Sequence, residues 1–107
     1  MKEYFNFQIK KLEADRDYCV NALLAVRIIT KVPKDEILSS LREPEAAQAR
    51  FMLYELMSSY GFDYAEIGRI INKHASTIKS GLDRHKKLML QDEDYATQYE
   101  NVVNKIR

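Results

Sequence analysis

Glycine, proline and cysteine are all scarce in this chain, and each scarcity excludes something. Three glycines and two prolines in 107 residues are too few punctuators for the many turns of a β-protein. Leu, Ala, Glu, Lys, Met and Arg are plentiful instead, and these favour helices. The single Cys19 has no intrachain partner for a disulfide and no second thiol for a zinc site. His74 and His85 are the only histidines, so neither a metal nor a cofactor is expected. One unpaired thiol fits a reducing compartment. No apolar run approaches the ~20 residues that span a bilayer, and the start, Met1-Lys2-Glu3-Tyr4-Phe5, lacks the basic and apolar regions of a secretory signal. A cytoplasmic protein with no membrane contact is expected.

Catalytic arrangements are missing as well. Ser39 and Ser40 have no glycine elbow beside them, and the carboxylates are scattered over polar positions. Three dispersed glycines cannot build a phosphate-cradling loop, so nucleotide binding is not expected. No catalytic residue is named and no enzyme is expected. What is present is 46% hydrophobic and 31% charged, the balance of one folded globular domain rather than a disordered chain.

Apolar spacing predicts an all-α fold. Residues 2 to about 30 read as one long helix or two abutting ones, with Phe5, Ile9, Leu12, Cys19, Leu23 and Val26 on one stripe. That stripe either packs on its own domain or pairs with another chain, which makes a homodimer through the N-terminal helix one expectation. Pro33 starts a short helix reaching Leu41, with Ile37, Leu38 and Leu41 inward. After a break at Arg42-Glu43-Pro44, a helix from about Glu45 to Tyr60 carries Ala49, Met52, Leu53, Leu56, Met57 and Tyr60, a stripe wide enough for a core element. Gly61 suits a left-handed stop. The segment Asp63-Tyr64-Ala65-Glu66 has the form of a capping box. It opens a short helix with Ile67, Ile70 and Ile71 inward, ending at Asn72. A longer helix from near Ala75 turns Ile78, Leu82, His85 and Leu88 inward, and a tail follows with Tyr95, Tyr99, Val102 and Ile106 at helical spacing. The expected division is an N-terminal helical extension over 1–22, a helix-turn-helix domain over 23–90 and a helical tail over 91–107.

Asp63 to Leu88 has the layout of a helix-turn-helix, in which a first helix braces a second against a duplex. Gly68 supplies the small residue needed where the helices cross, and Asn72-Lys73-His74 the sharp turn. Ala75, Ser76 and Thr77 leave the second helix's tip small and polar, so that its backbone can approach base edges. Lys79 and Ser80 point away from the core stripe, and Lys79, Lys86 and Lys87 are placed to neutralise phosphates. Net charge is only +1, but it is unevenly spread. From Phe62 to Leu90, six basic residues face three acidic ones, whereas the last 17 residues hold four acidic and two basic ones.

Four stretches also carry a resemblance. Val32-Pro33-Lys34-Asp35-Glu36-Ile37-Leu38-Ser39-Ser40-Leu41-Arg42, Ala49-Arg50, Glu66-Ile67-Gly68 and Ser76-Thr77-Ile78 follow in the order found in the C-terminal DNA-binding domain of DnaA, the bacterial replication initiator. Residues of about 23–90 resemble that domain, without the family's ATPase module. The resemblance implies a compact DnaA C-terminal, Trp-repressor-like fold with two DNA contacts. Arg42 occupies the place of an arginine that enters the minor groove, and Lys73, His74, Ala75, Ser76 and Thr77 that of the major-groove reading segment. His74 and Ala75 stand where the family has aspartate and histidine, and Pro44 where it has a second loop arginine. Arg50 is expected at a phosphate or in a structural pair. The function expected is sequence-preferring binding of double-stranded DNA, as a regulator or replication accessory. The alternative is a protein–protein interaction module using the N-terminal helix, with the fold kept but no DNA contact.

Overall fold

The computed structural model describes residues 13–107, and every regular element in them is a helix. They run α1 (Glu13–Thr30), α2 (Lys34–Ile37), α3 (Pro44–Tyr60), α4 (Tyr64–Ile71), α5 (Ala75–Gln91) and α6 (Glu93–Ile106). Phe5, Ile9 and Leu12, expected on the first stripe, lie outside the described residues. None of the described helices is long and apolar enough to cross a membrane.

α3 is the hub. It touches all five other helices, and burial follows: Ala46, Ala49, Met52, Leu53, Tyr54, Leu56 and Met57 are inaccessible or nearly so. A helix wrapped on several sides needs apolar residues around much of its circumference. Pro44 begins it, where a missing N–H costs nothing. Gly61 ends it with φ 127°, a backbone that L side chains rarely adopt.

α1 packs on α2, α3 and α6, burying Cys19, Ala22, Leu23, Ala25 and Val26. Burial pushes the Cys19 thiol up to about 12, so it stays protonated and behaves as a small hydrophobe. Tyr18 and Tyr60 stack with centroids 4.1 Å apart. Their hydroxyls donate to the Leu56 carbonyl and the Asp15 carboxylate, fastening the end of α3 to α1. The expected boundary between residues 22 and 23 falls inside α1, where both neighbours are buried. The tail is also part of the core, because Tyr95 and Val102 of α6 are buried against α1, α3 and α5.

α2 is shorter than its spacing predicts. It stops at Ile37 because the Ser39 hydroxyl donates to the Glu36 carbonyl and accepts from the Leu41 amide, a local pattern that competes with helix. Ile37 is buried, Leu38 half-buried, and Leu41, expected inward, is 43% exposed.

Candidate nucleic-acid interface

The candidate surface is built on α4, a three-residue turn and α5. Asp63 accepts from the Glu66 amide at 2.8 Å and Glu66 accepts from the Asp63 amide at 2.9 Å, so the capping box forms with both arms. α4 stops at Asn72, which adopts the left-handed region at φ 61°. The Lys73 amide donates back to the Gly68 carbonyl at 2.8 Å, and a Cβ on Gly68 would lie 2.4 Å from the Lys73 carbonyl oxygen. Only glycine lets the turn cross α4 this closely.

α5 therefore starts at a defined point. Ile78, Gly81 and Leu82 are buried, which turns the first-turn residues, Lys79 and Ser80 outward. His74, Ala75, Ser76, Thr77, Lys79, Ser80, Lys86 and Lys87 are all exposed. His74 is the N-cap, yet its side chain makes no cap bond. The first-turn amides and the positive end of the helix dipole thus face outward beside small polar side chains. Lys79 approaches Asp83 at 3.3 Å with both side chains exposed, a surface pair worth only a few tenths of a kcal/mol.

Two of the expected contact residues hold the protein to itself. Arg50 is 8% exposed, and its guanidinium donates to the carbonyls of Ile37, Glu36 and Leu41 at 2.9, 3.1 and 3.1 Å. Arg50 thereby joins the end of α2, at Glu36 and Ile37, to Leu41 in the segment that follows, with the Glu36 carbonyl also accepting from the Ser39 amide and hydroxyl. Lys73 donates to the Ser39 carbonyl at 2.9 Å and the Ser40 hydroxyl at 3.2 Å. Burial, with the Arg50 charge nearby, lowers the Lys73 ammonium below its ordinary value. Both residues are therefore positioning groups. Between them they pin residues 36–41, the segment that leads into Arg42. Arg42 itself is exposed and forms no ion pair with Glu43, Glu45 or any other described residue.

Sequence reasoning left Arg84 out. It is exposed on α5, four residues after Ser80 and eight after Ser76, and its guanidinium lies over the Phe51 ring at 5.8 Å. Arg84, Ser76, Thr77 and Ser80 line one wall of a shallow crevice of about 320 Å³, with Arg50, Phe51 and Tyr54 of α3 opposite. Helical spacing alone places Arg84 on the Ser76–Ser80 face, so the signal was available. His85, by contrast, is buried as its inner-face position predicts. Compared with models of known protein families and with curated proteins, the chain matches none.

Proposed function

We propose that this protein binds double-stranded DNA, with the tip of α5 entering the major groove and the Arg42 segment reaching toward the neighbouring minor groove. This follows the arrangement that the resemblance to the DnaA C-terminal domain implies. In this reading Ser76, Thr77 and His74 approach base edges, Ala75 lets the backbone come close, Arg42 carries its charge into the minor groove, and Lys79, Arg84, Lys86 and Lys87 neutralise phosphates. Ser80 adds a neutral hydroxyl to the same face. A role in regulation or as a replication accessory belongs to the same proposal.

The observation that carries it is the Lys73 bond to Ser39 and Ser40. That bond ties the turn before α5 to the strip before Arg42, so the two proposed groove contacts share one rigid surface. Preorganisation of this kind spares the ordering cost that separate flexible arms would incur on binding.

The test is duplex binding at several salt concentrations. With about five phosphates neutralised, log K is expected to fall with log salt at a slope near −4.5. Lys86→Ala or Lys87→Ala should weaken all sequences alike and flatten the slope by about one unit. Ser76→Ala or His74→Ala should instead change which fragments are selected from random duplexes. A salt-independent affinity, or none, rejects the proposal.

A further inference from the structure

α1 presents a second surface, on the side away from α4 and α5, neither of which it touches. Its outward stripe comprises Asp17, Val20, Asn21, Leu24, Arg27 and Ile28, followed at the helix end by Lys31. Leu24 and Ile28 are 41% and 42% exposed, while the neighbouring Leu23 and Val26 are buried. Leu24 stands on a ridge between two grooves. One, of about 610 Å³, runs along Val20, Leu23 and Leu24 to Arg27 and Pro33. The other, of about 240 Å³, lies between Leu24, Ile28 and the end of α6 at Ile106. A ridge flanked by grooves is the shape that helix–helix packing uses.

The charges say what covers it. Glu13 and Asp17 occupy the N-terminal end of the stripe, and Arg27 and Lys31 the C-terminal end, with the apolar positions between. Among the described residues, Asp17, Arg27 and Lys31 form no ion pair. The pattern is symmetric about Leu24. Counting outward, Asn21 mirrors Arg27, Val20 mirrors Ile28 and Asp17 mirrors Lys31. A helix laid antiparallel across a two-fold axis at Leu24 sets Val20 against Ile28 and Asn21 beside Arg27, and brings Asp17 toward Lys31, which follows the last residue of α1.

We infer that a second copy of this chain is the occupant: α1 pairs antiparallel with α1 of another protomer, Leu24 against Leu24, with Asp17 near Lys31 of the partner at both ends. The contact is isologous, so it closes at a dimer. It leaves both α5 tips free and does not depend on what they bind. The patch is small, which makes the association weak and concentration-dependent.

Sedimentation of the full chain from about 1 μM to about 1 mM, the range in which small interfaces form, is expected to show a mass rising from 12.6 kDa toward twice that. Leu24→Glu places two like charges on the axis and should abolish the rise. Asp17→Lys should shift the midpoint about tenfold to higher concentration, and Asp17→Lys combined with Lys31→Asp should bring it back, because reversing both ends restores the pairing. All three positions are exposed, and a helical spectrum with an unchanged melting temperature establishes that each variant folds. A monomer at every concentration overturns the inference. So does a dimer that survives Leu24→Glu, which would mean that another surface or residues 1–12 carry the contact. Failure of DNA binding leaves these masses unaffected.

Discussion

Arg50 and Tyr54 sit one turn apart on α3, both in the core, and their polar atoms meet opposite fates. Arg50 satisfies three carbonyls, whereas the Tyr54 hydroxyl is buried without a hydrogen-bond partner among the described residues. Burial raises the Tyr54 hydroxyl to about 12, against the opposing pull of the Arg50 charge. Removing an unpartnered buried polar atom relieves its desolvation cost, whereas removing a hub of charged hydrogen bonds strands its acceptors. Tyr54→Phe is therefore expected to leave stability unchanged or raise it by about 1 kcal/mol. Arg50→Met should lower it by about 3 kcal/mol, both read from urea midpoints. The Ala49-Arg50 pair was visible in the sequence, but the residue's orientation was not. Its acceptors lie nine to fourteen residues away along the chain, beyond the reach of helical periodicity.

Among the helices, boundaries set by local chemistry were the legible ones. Asp63 with Glu66 starts α4, Asn72 ends it, Pro44 starts α3 and Gly61 closes it, each through bonds or dihedrals confined to a few neighbouring residues. α2 was misjudged because Ser39 can serve a helix or a turn, and here the turn wins. Gly68 belongs to this scale. Its Cβ would meet backbone, the Lys73 carbonyl oxygen, rather than the end of a movable side chain. Gly68→Ala is expected to cost about 2 kcal/mol, seen as a lower melting temperature. By displacing the start of α5, it should also weaken DNA binding more than the exposed Arg69→Ala does.

Across the molecule, α6 is joined to the rest through a buried histidine. The Tyr95 hydroxyl lies 2.6 Å from His85 Nδ1, and the His85 ring meets Tyr99 edge-on at 4.6 Å. Burial first, then Tyr99 and Glu55, raise the Tyr95 hydroxyl well above its usual value, so it keeps its proton, and the His85 tautomer sets which of the two groups donates. Burial lowers the His85 pKa below 6.5, with Glu55 pulling the other way. A histidine lowered in the folded state contributes its full stability above pH 6.5. As pH falls below that value the unfolded chain takes the proton first, and stability declines until the folded-state value is reached. Urea midpoints measured across this range should fall in the native protein, and less steeply in His85→Leu. An equal slope in both would remove His85 from the account.

The sequence by itself determined that this protein is helical, where α3 and α4 begin and end, and most of the residues that turn inward, though Leu41 and Tyr60, expected inward, are exposed. Periodicity, caps and breakers act within one or two turns and need no knowledge of the rest of the chain. Tertiary structure alone decided what the charged groups do. Arg50 and Lys73 read as cations on a polar pattern, yet packing placed carbonyls from another segment around them and turned them into braces. It also decided that α1 and α6 belong to the same body as α3, because burial of Tyr95 and Val102 requires surfaces contributed by distant parts of the chain.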